Sequence, residues 1–294
     1  MVKGQIIEIC TPKNSGIRSA NLHITAHCNY GCGFCFSRTL YKTEMEPSEW
    51  IPIMERLKDN GFLKLNFVGG EPFLYEGLRT LCSEAKRMGF ITGIVTNGSL
   101  LDEKTLEGYR GILDCIGFSV DSTSESTECR CGRGIPGTNH IEHIVELSKI
   151  AHSLGMDVKL NITIIKACLD EDFSQLIETV DPSRVKMFRV LGLDGVNDLM
   201  MDGFGITDDE YERFVSVHKD ISLSNGNGIV FEDNSDMIGS YFMIDPRGMV
   251  IDNRSGSLEY RSLDDALSDV NTVMDPDVYR GRNGNHFIIV EGGE

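Results

Sequence analysis

Along the chain, apolar positions switch repeatedly between a period of about two and a period of about 3.6, the signatures of a half-buried strand and of an amphipathic helix. Short-period segments fall at 19–25, 63–68, 91–96, 115–120, 157–164 and 185–191. Long-period segments lie between them at 48–60, 77–88, 103–109, 139–154 and 171–180, with Gly61, Gly89 and Gly155 placed where helices commonly stop. Strict strand–helix alternation predicts a parallel sheet with its helices outside. The fold class is therefore α/β, and six units make a partial (βα)6 barrel; the pattern alone also admits an open doubly wound sheet.

After residue 191 the alternation ends. A Gly- and Asp-rich stretch runs to Gly205, a helix with an acidic start is predicted over 207–219, and strand-like 241–244 and 249–252 flank Asp245-Pro246-Arg247-Gly248. Pro at the second position and Gly at the fourth make that tetrapeptide a hairpin turn. Residues 1–18 read as an N-terminal segment, 19–191 as the barrel, and 192–294 as an extension that caps the barrel and its site.

The 294 residues suit one barrel-sized domain with a tail. No uncharged apolar run approaches the roughly 18 residues that cross a bilayer. The first 18 residues show no apolar core followed by a small-residue cleavage site, so a cytoplasmic protein is expected. With 28 basic against 45 acidic residues the formal charge is −17, which repels nucleic acid and anionic lipid. Neither is an expected partner, and the chain is expected to act as a monomer. A polyanion can bind only where cations are gathered locally.

Nine cysteines in such a chain are expected to stay reduced, which favours metal or catalytic roles over disulfides. Cys28-Asn-Tyr-Gly-Cys32-Gly-Phe-Cys35 follows the first strand directly. Three thiolates in one short loop can ligate a single iron–sulfur cluster and leave one iron of a cubane with an exchangeable position. A zinc site is the alternative, with His27 or His23 as fourth ligand. The second strand ends in Val68-Gly69-Gly70-Glu71-Pro72, where the glycines let backbone approach a ligand and Glu71 can accept a charged amine. Both segments sit at C-terminal strand ends, where barrel enzymes place their chemistry.

Alternation also sorts the strand cations. Lys64 shares parity with Asn66, Lys159 with Asn161, and Arg184 with Lys186, while their neighbours Leu63, Leu65, Val158, Leu160, Ile162 and Val185 are apolar and should face the helices. The cations then point into the barrel and need an anion such as a triphosphate. Lysines at strand starts that simply reach solvent are the bland alternative.

The pairing of Cys-x3-Cys-x2-Cys with Gly-Gly-Glu-Pro resembles the radical S-adenosylmethionine (SAM) superfamily. Within it, His27–Phe36, Lys64–Phe73, Thr96-Asn-Gly-Ser-Leu100, Ser119-Val-Asp-Ser122, Gly132-Arg-Gly134, Asn139-His140, Lys159-Leu-Asn161 and Arg184–Phe188 resemble, in order, segments of the viperin family. The match spans about residues 20–220 and looks like a prokaryotic member, since animal viperins carry an N-terminal amphipathic helix that this chain lacks. The resemblance implies a [4Fe-4S] cluster on Cys28, Cys32 and Cys35 that chelates SAM. It assigns Gly70 and Glu71 to the SAM amine, Arg133 to the carboxylate, and Asn97, Ser119 and Asp121 to the ribose. Lys64, Lys159, Arg184 and Lys186 match triphosphate-gripping positions, with Asn66 and Asn161 toward the sugar or base.

The implied reaction turns a nucleoside triphosphate (CTP, UTP or GTP) into its 3′-deoxy-3′,4′-didehydro form, a chain terminator made for antiviral defence. It begins with abstraction of the ribose 4′-hydrogen and draws an electron from an unidentified donor. Other readings are a radical SAM enzyme acting on another anion or a peptide, and a non-catalytic metal-binding module. Two departures stand out: Val68 replaces a hydroxyl residue, and the family's C-terminal Tyr aligns loosely with Asn285-His286-Phe287, making His286 and Phe287 the candidates for that place. Gly132–Gly137 spells G-x-G-x-x-G but does not follow a strand directly, so a dinucleotide site is not expected. Cys129 and Cys131 find no further pair for a second cluster, and Cys10, Cys82, Cys115 and Cys168 read as structural thiols.

Overall fold

A computed structural model describes residues 16–286, which leaves Cys10 and Phe287 outside the described residues. The barrel strands are β1 (Ser19–Thr25), β2 (Lys64–Gly69), β3 (Ile91–Thr96), β4 (Cys115–Ser119), β5 (Asp157–Ile164) and β6 (Arg184–Arg189), each within two residues of its expected bounds. Neighbours pair in parallel throughout. The alternation holds: Leu65, Phe67, Val158, Leu160, Ile162 and Val185 are fully buried, while Leu63 lies just outside β2 and is half-buried.

The helices are α1 (Pro47–Asp59), α2 (Leu78–Arg87), α3 (Glu103–Glu107), α4 (Glu125–Cys131), α5 (His140–Ser153) and α6 (Ser174–Val180). In α1, Pro at the first position and a Glu46/Glu49 capping box start the helix, and Trp50, Met54 and Leu57 make its buried stripe. Leu78, Leu81, Cys82 and Ala85 do the same for α2. Helix α4 is not predicted by periodicity, because the face it buries is Thr127, Glu128 and Cys131. The G-x-G-x-x-G segment begins at Gly132, which ends α4 in a left-handed conformation, so it follows a helix and not a strand.

Beyond β6 come a short helix α7 (Met201–Phe204) and α8 (Asp208–His218), the latter opened by a Thr207/Glu210 capping box. The extension then widens the sheet at both edges. β7 (Val230–Glu232) pairs in parallel with β6, and β8 (Phe242–Ile244) in parallel with β1; β9 (Val250–Asp252) and β10 (Glu259–Arg261) follow antiparallel. The order is β10-β9-β8-β1-β2-β3-β4-β5-β6-β7. The expected turn joins β8 to β9: Gly248 N–H donates to Asp245 O at 2.9 Å, and the Asp245 carboxylate accepts from Arg247 and Met249 N–H. Among the described residues no helix is long and apolar enough to cross a membrane, and the eight described cysteines are free.

Candidate active site

Side chains from β1 through β8 line one cavity of about 1370 Å³, so the sheet wraps around it. Lys64, Asn66, Lys159, Asn161, Arg184 and Lys186 all reach it, as the alternation requires. Arg184 Nε and Nη2 and Asn161 Oδ1 are buried without a hydrogen-bond partner among the described residues. Burial, then the charges of Lys186, Arg184 and Lys64, hold the Lys159 ammonium well below its ordinary range. Burial brings Lys186 down to about 7 against the pull of Glu232. An anion entering the cavity would relieve this crowding of like charge.

The extension adds three groups that the sequence reading missed. Glu232, wholly buried, pairs with Lys186 and accepts a hydrogen bond from the Tyr241 hydroxyl; Lys186 Nζ also donates to Tyr241 Oη at 3.0 Å. Burial works to raise Glu232, but Lys186 and Arg282 outweigh it and hold the carboxyl below its usual range. Arg282 donates to Ser240 O at 2.6 Å, and its guanidinium lies 3.7 Å from the Tyr241 ring centre. The three belong to or flank segments of three and six residues, too short to show a period. Of the two tail candidates, Phe287 is outside the described residues. His286 lines the cavity, where burial and then Arg184, Lys64, Lys159 and Lys186 push its pKa down to about 2, so it stands there uncharged. The tyrosine in the cavity is Tyr241, just before β8 and not in the tail.

The three loop cysteines follow β1. Gly31 N–H donates to Gly132 O at 2.9 Å and Gly33 N–H to Cys131 O at 3.1 Å, which ties their loop to the end of α4. Gly70 N–H and Glu71 N–H donate to Thr25 O and His27 O, both at 2.8 Å. A Cβ at Gly69 would lie 2.2 Å from Thr25 O, and one at Gly70 2.0 Å from His27 O, so the Gly-Gly pair is what lets the two motif loops meet. Burial pushes the Cys32 thiol up to about 12 while Arg133 pulls the other way, a cost that bound iron removes by stabilising the thiolate. Among the described residues no three His, Cys, Asp or Glu side chains converge as a single ion requires. The donor set of three soft thiolates on one loop fits an iron–sulfur cluster.

The residues expected at SAM are joined by buried bonds. Glu71 has no exposure; its carboxylate accepts from Thr96 Oγ1 (2.7 Å), Asn97 N–H (2.8 Å) and Phe73 N–H (3.1 Å), and burial raises its pKa. Asp121 is equally buried, accepting Thr163 N–H at 2.7 Å and pairing with Arg133. Burial would lower Arg133, but Asp121, Cys32 and Glu128 hold it well above its ordinary value. Asp121 N–H donates to Glu128 Oε1 at 2.7 Å; His140 then bridges Glu128 Oε2 (2.8 Å) and the Asn97 carbonyl (2.9 Å). Asn97 Nδ2 in turn faces Asn29 Oδ1 at 3.0 Å and Cys28 Sγ at 3.9 Å. Ser119 and Arg133 reach the cavity that Cys35 also lines. Glu128 was not singled out from sequence: a lone Glu in an unpredicted helix carries no signal.

The pattern of the radical SAM superfamily matches residues 22–180. The chain is 46% identical over 231 residues to an S-adenosylmethionine-dependent nucleotide dehydratase of Thermoplasmatales archaeon (strain ISO4-H5), covering 79% of this chain and 81% of that one. It is 34% identical over 282 residues to one of Lacinutrix mariniflava, where it spans 91% of this chain but 58% of the relative. It is also 32% identical to the S-adenosylmethionine-dependent nucleotide dehydratase RSAD2 of Siniperca chuatsi, over 81% of this chain and 69% of the relative. Among solved structures, Streptococcus suis SuiB bound to S-adenosylmethionine superposes with a TM-score of 0.66 at 16% identity, over 91% of this chain and 68% of that one. The tagged anSMEcpe with bound AdoMet gives 0.61 at 14% identity, over 92% and 82%. Both share the fold.

Proposed function

The chain belongs to the radical SAM superfamily, among the S-adenosylmethionine-dependent nucleotide dehydratases, and from that premise we propose that it converts CTP, UTP or GTP to the 3′-deoxy-3′,4′-didehydro triphosphate, in antiviral defence. The observation that carries this reading is the convergence of Lys64, Lys159, Arg184 and Lys186 in the cavity that Cys35 lines. The cations neutralise a triphosphate, and Arg282, stacked on Tyr241, adds a fifth.

Cys28, Cys32 and Cys35 would hold the [4Fe-4S] cluster, which would supply the electron for reductive cleavage of SAM. The rest of the chemistry asked of the protein is positioning and exclusion of water. Arg133, oriented by Asp121, takes the SAM carboxylate. The backbone beside Gly69 and Gly70 takes the amine, with the engaged Glu71 carboxylate behind it, and Asn97 and Ser119 face the ribose. Asp121 acts through Arg133, because both its oxygens are occupied. Tyr241 Oη donates to Glu232 and accepts from Lys186, which fixes the Lys186 ammonium among the phosphate-binding cations. The electron comes from a donor outside the chain.

Anaerobic reconstitution with iron and sulfide, followed by SAM, dithionite and each nucleoside triphosphate in turn, tests the proposal by mass spectrometry. The expected result is a nucleotide lighter by one water, formed together with 5′-deoxyadenosine. SAM cleavage indifferent to every nucleotide would instead make the chain a radical SAM enzyme of another substrate.

A further inference from the structure

Strand β1 turns Ser19, Asn21 and His23 toward the cavity, and the three are not equally satisfied. Asn21 Oδ1 accepts from Asn66 Nδ2 at 2.9 Å, and Asn66 reaches Ser19 Oγ at 3.3 Å. His23 is 4% exposed, and neither ring nitrogen has a hydrogen-bond partner among the described residues. Folded proteins leave few buried polar atoms unpaired, and those that remain call for a ligand or a catalytic role.

The position of His23 narrows the ligand. It pairs in register with Val68, the penultimate position of β2, whereas Lys64 and Arg184 open their strands and Lys159 and Lys186 are third in theirs. Phe36, the residue after Cys35, sets its ring edge-on to the imidazole at 5.7 Å between centres. His23 therefore lies between the phosphate-binding cations and the cluster loop, where the uncharged end of a bound nucleotide must be. Burial pushes its pKa down to about 4, so the ring stays neutral and offers one N–H donor and one nitrogen acceptor. That pair does not suit a phosphate, which the cations already serve, but it matches the donor and acceptor groups of a nucleobase edge.

Resting on the nucleotide reading above, we propose that His23 is a specificity-determining residue that hydrogen-bonds the nucleobase, which reaches it by displacing the ring of Phe36. A site built to hydrogen-bond one base edge rejects a base with the wrong pattern, because its own buried groups are then left unpaired. Val68, apolar and directly opposite, contributes no competing polar group.

Titration calorimetry on the reconstituted protein with SAM tests this, using CTP, UTP, GTP and inorganic tripolyphosphate against wild type, His23→Phe and His23→Asn. The expected result is that His23→Phe weakens the preferred nucleotide roughly tenfold to hundredfold. It also narrows the spread among the three bases and leaves tripolyphosphate within about twofold of wild type. His23→Asn, which keeps a donor and an acceptor, should bind tripolyphosphate normally but change the order of preference. Unchanged nucleotide affinities and ratios in both variants overturn the assignment of His23 alone, as does a loss shared equally by tripolyphosphate. Wild-type affinities no better for nucleotides than for tripolyphosphate overturn the nucleotide reading itself.

Discussion

At the residue scale, Lys159 and Lys186 are held away from their ordinary protonation. A charge-assisted phosphate contact is worth about 1.5–3 kcal/mol, so Lys159→Ala should raise the nucleotide dissociation constant about 10- to 150-fold. SAM cleavage without nucleotide should stay near wild type, and unchanged nucleotide affinity by calorimetry would remove Lys159 from the triphosphate site. The same burial couples binding to protons. In the empty site Lys186 titrates near 7 and Lys159 well below its ordinary range, while an anion beside them favours the charged forms. Nucleotide binding at pH 8 should therefore take up protons, and affinity should fall as pH rises through about 7. Binding enthalpies measured in buffers of different ionisation enthalpy read the uptake directly; identical enthalpies would mean that both ammonium groups are already charged in the empty site. These six cavity positions were legible in the sequence because strand alternation is local: parity alone places Lys64, Asn66, Lys159, Asn161, Arg184 and Lys186 on one face. The partners of Asp121 and Glu71 were not, since hydrogen bonds between loops depend on how the strand ends meet.

At the element scale, α4 explains why part of the site was hidden. Its seven residues bury Glu128, a side chain that any pattern reading assigns to solvent. Buried there, Glu128 joins the Asp121 N–H to His140 and so connects the Asp121–Arg133 pair to the loop of Asn97. Burial raises its pKa, with His140 opposing, which marks a carboxyl retained for its bonds and not for solvation. Glu128→Ala leaves the Asp121 N–H without its acceptor, so the variant should lose about 1–3 kcal/mol of stability. It should also bind SAM more weakly while keeping its full iron content. A lowered melting temperature with an unchanged SAM dissociation constant would reduce Glu128 to a purely structural role. The strands and long helices of the barrel were legible because each shows its own period over five or more residues, whereas β7 and β8, at three residues each, show none.

At the scale of the whole molecule, the extension completes the site from both sides of the sheet. β7 lies at the edge beyond β6 and β8 joins beyond β1, yet Glu232 of β7 accepts the hydroxyl of Tyr241 beside β8, so the two ends of the barrel are bridged by side chains instead of by strand pairing. Pairings this far apart in sequence leave no local trace, which is why Glu232, Tyr241 and Arg282 emerge only from the structure. The bridge also sets Lys186 and Arg282 against the buried Glu232 carboxylate, beside Lys64, Lys159 and Arg184, inside a chain whose net charge is −17. Their mutual repulsion is a cost the empty protein bears and an anion relieves, and a ligand at about 100 times its dissociation constant stabilises by about 2.7 kcal/mol. For a chain of this size that corresponds to a rise in melting temperature of about 4 °C. Nucleoside triphosphate and inorganic tripolyphosphate should both produce the rise and the free nucleoside should not. Glu232→Gln, which frees Lys186 and Arg282 from their counter-ion, should lower the melting temperature of the empty protein yet enlarge the increment that tripolyphosphate restores. If the increment instead shrinks, Glu232 acts by holding the cations in place for the phosphates, and its neutralising charge is secondary.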